Sequence, residues 1–222
     1  GEKDYINNPK KDGYRSIHLI YKYFSNKKTT YNGKLIEIQI RTKLQHLWAT
    51  AVETVDFFTR QAIKSNEGQK EWIDFFRLLS SVFAIMEKSP IVPNTPDSKD
   101  ELYKQIKQKN LELHIIKRME SWANGVKFLG DVSKEKPEYH FFLLELDVNK
   151  GELTVTPFSK NEEELATKMY SEAERMNATN DNIDVVLVGA ETTHDLEKAY
   201  PNYFLDTKEF LNILKNYLEK GL

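Results

Sequence analysis

Cysteine is absent from all 222 residues. That excludes disulfides, thiolate nucleophiles and cysteine-ligated zinc, and it is in keeping with a reducing, cytoplasmic setting. No apolar run approaches the ~18 residues of a membrane span, and no charged-then-apolar opening suggests a signal peptide, so no membrane partner is expected. Internal repeats and low-complexity tracts are also missing. Prolines are few, and three of the seven fall between Pro90 and Pro96, the clearest linker in the chain.

What is present suits a folded protein. A hydrophobic fraction of 40% with 12% aromatic residues supports a real core, in one large domain or two small ones. The formal net charge of −2 hides an asymmetry. Residues 1–41 hold nine Lys/Arg against four Asp/Glu, or +5, while residues 138–222 hold eight against seventeen, or −9. The front therefore suits an anionic ligand, unless both regions are simply solvated surface.

Turn chemistry opens the chain at Asn7-Asn8-Pro9-Lys10-Lys11-Asp12-Gly13. Ile17 to Phe24 reads as a strand, and Leu35 to Arg41 as a second one with strict alternation: isoleucines at 36, 38 and 40 on one face, Glu37, Gln39 and Arg41 on the other. From Thr42, a plausible N-cap, the period becomes helical through Leu44, Leu47, Trp48, Ala51, Val55, Phe58 and Ala62. A second helix over about 69–88 carries Trp72, Phe75, Phe76, Leu79, Val82, Phe83 and Met86, all read as core. One long helix is expected from about 98 to 130. After Pro137, a hairpin spans Tyr139–Val148 and Glu152–Phe158. A helix at about 161–177, a strand at Ile183–Val188 and a helix at about 207–219 follow, and the strand–helix–strand order favours a right-handed parallel crossover.

The front carries the chemistry. Lys10, Lys11 and Arg15 flank Gly13-Tyr14; the cations suit phosphates, the glycine suits close backbone approach to a ligand, and the tyrosine suits stacking on a base. His18 lies at the start of the adjoining strand. The competing readings are a turn tyrosine packed on the core and a strand face left in water.

The stretch Asp4-Tyr5-Ile6-Asn7-Asn8-Pro9-Lys10-Lys11-Asp12-Gly13-Tyr14-Arg15-Ser16-Ile17-His18 resembles the guanine-binding loop D-Y-I-x-x-P-K-x-N-G-Y-x-S-[LI]-H of RelA/SpoT-family (p)ppGpp synthetases. Ile36-Glu37-Ile38-Gln39-Ile40-Arg41-Thr42 resembles that family's [VI]-E-[IV]-Q-[IV]-R-T strand, and Gln45-His46-Leu47-Trp48-Ala49 the start of its next helix. The resemblance implies pyrophosphoryl transfer from ATP to the ribose 3′-hydroxyl of GDP or GTP, as in the stringent response. Tyr14 would stack on guanine, Lys10 and His18 would contact phosphate or ribose, and Arg15 would supply a phosphate contact. Gln39 and Arg41 would shape the pocket, and His46 would lie near the guanine edge. Glu37 would be the catalytic carboxylate and the ligand of Mg²⁺.

Two departures bear on this. Asp12 stands where the loop usually has Asn, adding a negative charge beside the lysines. The upstream ATP-binding half of such domains does not precede the loop, so a fragment without synthetic activity of its own is expected. The resulting expectation is an α+β chain. Residues 1–90 form the C-terminal half of a synthetase domain with a partial nucleotidyltransferase-like mixed sheet, residues 91–137 a linker and bridging helix, and residues 138–222 an acidic α/β module. That module has no assigned role beyond intramolecular docking and autoinhibition, and oligomeric state stays open. A toxin-type relative acting on tRNA and a non-catalytic guanine-nucleotide sensor remain as alternatives.

Overall fold

The computed structural model describes residues 1–59, 69–136, 138–180, 182–190 and 203–221. Three short strands, β1 (Glu2–Asp4), β2 (Ile17–Lys22) and β3 (Leu35–Ile40), form a front sheet in the order β1-β2-β3. Its register pairs Ile17 with Ile40, His18 with Gln39 and Ile20 with Glu37. Period-two alternation thus places His18 beside Gln39 on one face and the isoleucines of β3 on the other. The pairing is antiparallel throughout, where a mixed sheet is expected. The isoleucine face is also not core: Ile36, Ile38 and Ile40 remain 42–49% exposed, because no described helix packs across them.

Helix α1 (Lys43–Thr59) starts at a reciprocal cap. Thr42 Oγ1 accepts from the Gln45 backbone N–H (3.2 Å), and the Gln45 side-chain oxygen accepts from the Thr42 N–H (3.1 Å). Its stripe of Leu47, Trp48, Ala51, Val55 and Phe58 is buried as the spacing predicts; Ala62 lies outside the described residues. On α2 (Lys70–Met86) the aromatic stripe is likewise buried, except that Met86, the last residue of the helix, is exposed rather than core.

The expected single helix over 98–130 is two. Helices α3 (Lys99–Leu113) and α4 (Ile115–Glu135) meet at His114, whose φ of 50° and ψ of 40° are left-handed. That break ends α3, and the Asn110 side chain accepts from the Ile116 N–H (3.2 Å) across the joint. The turn lets α4 lay Trp122 flat on Phe58 of α1, ring centroids 5.2 Å apart.

The hairpin reading stands: β4 (Tyr139–Asp147) pairs with β5 (Glu152–Ser159). Asp147 accepts from the N–H groups of Asn149 and Lys150 in the turn, and Gly151 takes the positive φ of 70° that the turn requires. After α5 (Glu163–Asn177), strand β6 (Ile183–Gly189) returns to the far side of β4, giving the order β5-β4-β6. β6 runs in the direction of β5, as a crossover requires, but its pairing with β4 is antiparallel. No parallel ladder forms among the described residues, because β4 lies between the two strands that the helix connects.

Phe142, Leu144 and Leu146 point from β4 into the main core, and Leu143 points into a smaller cluster with Phe158 and Ala166 of α5. The last helix, α6 (Tyr203–Lys220), packs against α1 and α4, and the main core runs through all of these elements from Leu47 to Tyr217. His194 and Asp195, which by sequence suit a helix start with Asp195 as N-cap, lie outside the described residues. No helix among the described residues is long and apolar enough to cross a membrane.

Candidate active site

The loop between β1 and β2 is closed before any ligand is considered. Lys10 O accepts from the Gly13 N–H (3.0 Å), and Asp12 Oδ1 accepts from the Tyr14 N–H (2.8 Å). The Asp at position 12 therefore makes the side-chain-to-backbone turn that an Asn oxygen would also make. Gly13 sits at φ +95°, where a β-carbon would meet Trp48 at 3.1 Å and the Arg77 backbone and Ser80 at 3.2 Å. Its carbonyl accepts from Ser80 Oγ (2.6 Å). The close approach that this glycine permits is to α1 and α2 rather than to a ligand.

Five side chains form a closed hydrogen-bonded ring. The Tyr14 hydroxyl and His18 Nε2 are 2.8 Å apart, and His18 Nδ1 and Glu37 Oε1 are 2.8 Å apart. Gln39 Nε2 donates to Glu37 Oε2 (2.8 Å), and Arg41 donates both to Gln39 Oε1 (2.7 Å) and to the Tyr14 hydroxyl (2.8 Å). A carboxylate opposite Nδ1 makes that nitrogen the donor. In the neutral imidazole, Nε2 then accepts from Tyr14, whose oxygen accepts from Arg41. The hydrogen bonds from Gln39 and then His18 hold the Glu37 carboxyl below its ordinary range, so it stays ionised.

Cations and rings surround this circuit. Lys10 Nζ lies 4.7 Å from the Tyr5 ring centroid and 5.0 Å from that of Tyr14, and the Arg41 guanidinium carbon is 5.3 Å from Tyr14. Tyr5 meets Tyr14 and His18 edge-on at 6.0 and 5.3 Å. Lys10, Tyr14, His18, Glu37, Gln39 and Arg41 are thus brought together. Tyr5 joins them, although sequence reasoning gave it no role; its presence in the quoted motif was the available signal.

Two expected ligand contacts have partners within the fold. Arg15 is buried, with NH1 3.5 Å from Glu87 and NH2 donating to Ser89 Oγ. The same Glu87 carboxylate accepts from the Thr42 hydroxyl and from Gln45 Nε2 (3.1 Å), which ties the loop, the α1 cap and the end of α2 together. Nothing local in the sequence marks Glu87 for this. His46, on α1, is paired through Nε2 with Asp206 of α6 (3.0 Å), next to the Lys43–Glu209 ion pair between the same helices.

Glu37 is the one carboxylate in the ring, and no group of three or more metal-ligating side chains occurs among the described residues. Mg²⁺ commonly binds through one or two carboxylates together with substrate phosphates and water. Glu37 fits that minimal role and not a closed protein cage.

Residues 1–57 match the family model described as a region found in RelA / SpoT proteins. Over 56 residues the chain is 38% identical to the protein named GTP pyrophosphokinase YjbM of Bacillus subtilis (strain 168), a stretch covering 25% of this chain and 26% of that protein. The chain therefore spans about a quarter of that relative's length. Every candidate site residue falls inside the matched segment, which also contains both quoted motifs.

Proposed function

We propose, taking residues 1–57 as a RelA/SpoT-type segment, that this chain supplies the guanine-acceptor side of an ATP-dependent 3′-pyrophosphotransferase. In that reaction the ribose 3′-oxygen of GDP or GTP bonds to the β-phosphorus of ATP, the bond to the α-phosphate oxygen breaks, and AMP leaves. The observation that carries the reading is the closed ring of Tyr14, His18, Glu37, Gln39 and Arg41.

Tyr14 offers a ring for the purine, with Lys10 and Arg41 placed to follow the phosphates. In phosphoryl transfer a protein mainly positions groups and neutralises charge, which suits a basic front segment. Glu37 and His18 form a carboxylate–imidazole pair that can receive the 3′-hydroxyl proton. A carboxylate with a depressed pKa is a weak base but a dependable anion, so Glu37 suits orientation of His18 and cation binding at least as well as proton removal. Glu37 would hold Mg²⁺, whose chemistry here is charge neutralisation on the phosphates.

The test incubates the full-length parent protein with labelled ATP and GDP, GTP or tRNA, with Glu37→Gln as the control. A labelled guanosine product that disappears in the variant supports the reading. Labelled tRNA instead assigns the toxin-type reaction, and guanine-nucleotide binding with no product from any acceptor replaces the proposal with a sensor.

A further inference from the structure

We propose that the groove between α4, α6 and the β4–β5 turn is a second ligand site, one that binds an oligophosphate chain. The groove encloses about 560 Å³, within the range of small-molecule sites. Four lysines converge on it: Lys117 from α4, Lys208 and Lys215 from α6, and Lys150 from the turn. Glu120, the one acidic residue lining it among the described residues, is taken by Lys215. Lys150 is held by Asp147 at 3.0 Å. Lys117 and Lys208 have no acidic partner among the described residues.

This arrangement runs against the charge of its surroundings. Residues 138–222 carry seventeen Asp/Glu and eight Lys/Arg, yet three of those eight cations meet here and recruit a fourth from α4. Gathering like charges in a concave site is unfavourable until an anion enters, and a lysine ammonium is a compact phosphate binder with three donors. Ser121, Asn124 and Asn212 add neutral donors at the wall, while Leu211 and Ala123 form a buried floor. No aromatic ring lines the groove among the described residues, so the phosphate chain and not a base is the group recognised. The lining residues all lie beyond residue 57, which makes the site separable from the front ring.

The experiment titrates the chain with sodium tripolyphosphate by calorimetry at low ionic strength, without divalent cations. Three proteins are compared: wild type, the Lys117→Gln/Lys208→Gln double variant, and Lys10→Gln as the front-site control. Affinity at the groove, read from the Gly151 and Asn212 amide resonances, is expected to fall about tenfold or more in the double variant, whereas Lys10→Gln alters only binding at the front ring. The amide resonances of Gly151 and Asn212 should shift during the titration. Equal shifts with GTP identify a nucleotide-borne chain as the ligand, and their absence identifies free oligophosphate. Because both lysines are exposed, matched thermal midpoints will show that the double variant is folded. Absence of binding to wild type, unchanged affinity in the folded double variant, or loss confined to Lys10→Gln overturns the proposal.

Discussion

Removing the Glu87 carboxylate tests how the front loop is held. Arg15 is 3% exposed, and its Nε and NH1 atoms have no hydrogen-bond partner; Glu87, 3.5 Å away, is the counter-charge. Burial pushes the Arg15 pKa down while Glu87 pulls it back up, which identifies a guanidinium that depends on this one carboxylate. Glu87→Ala leaves that charge uncompensated, at a cost of about 3–5 kcal/mol. The low end is the better expectation, because the Glu87 side chain is itself 16% exposed. In a protein of this size about 3 kcal/mol corresponds to a midpoint lowered by roughly 6–12 °C. Replacing both partners, as Arg15→Met/Glu87→Met, removes the unpaired charge and should cost less than about 2 kcal/mol. Urea or thermal unfolding of the two single variants and the double gives the coupling energy directly. If Glu87→Ala stays within about 1 kcal/mol of wild type, or the double variant is as damaged as Glu87→Ala, the reasoning is wrong. The same double variant has a functional readout: GDP affinity within about threefold of wild type fits an Arg15 that holds the loop. A loss beyond tenfold makes it a ligand contact.

Gly13→Ala should destabilise the chain by about 2–4 kcal/mol in urea unfolding, since a positive φ and a β-carbon 3.1–3.2 Å from Trp48, Ser80 and the Arg77 backbone act together; a change under about 1 kcal/mol contradicts this. Tyr14→Ala should weaken GDP binding by about 1–3 kcal/mol while Tyr14→Phe retains most of it, and equal losses would mean that the hydroxyl, not the ring, matters. Asp184, half-buried beside Arg118 at 3.1 Å, has its pKa pushed up to about 6 by desolvation. An acid whose folded pKa lies above its unfolded value binds its proton more tightly when folded, so its contribution to stability falls as pH rises from about 4 to about 6, by up to ~3 kcal/mol. The difference in stability between Asp184→Asn and wild type should change with that sign across the window and be flat above pH 7; a flat difference throughout contradicts the assignment.

Much of the front was readable from residue order alone. Period-two alternation put Glu37, Gln39 and Arg41 on one face of a strand, and the turn before β2 held Lys10 and Tyr14 a fixed short distance from His18. Those relations are local, so the backbone geometry of a hairpin enforces them. The same holds for the Thr42 cap, the aromatic stripes of α1 and α2, and the β4–β5 turn. Tertiary structure decided the rest. Alternation says which residues share a face but not what covers it, so it could not show that the isoleucines of β3 stay open. It could not pair β6 with β4, nor break a helix at His114, where a backbone torsion outweighs a continuous helical pattern. Arg15 finds Glu87 72 positions away and His46 finds Asp206 160 positions away, and both partners are ordinary charged residues in sequence. The lysines of the α4–α6 groove lie in separate segments, three of them in the acidic stretch 138–222. Charge and hydrogen-bond partners separated by such stretches of chain meet only because a common core, running from Leu47 to Tyr217, fixes the helices that carry them.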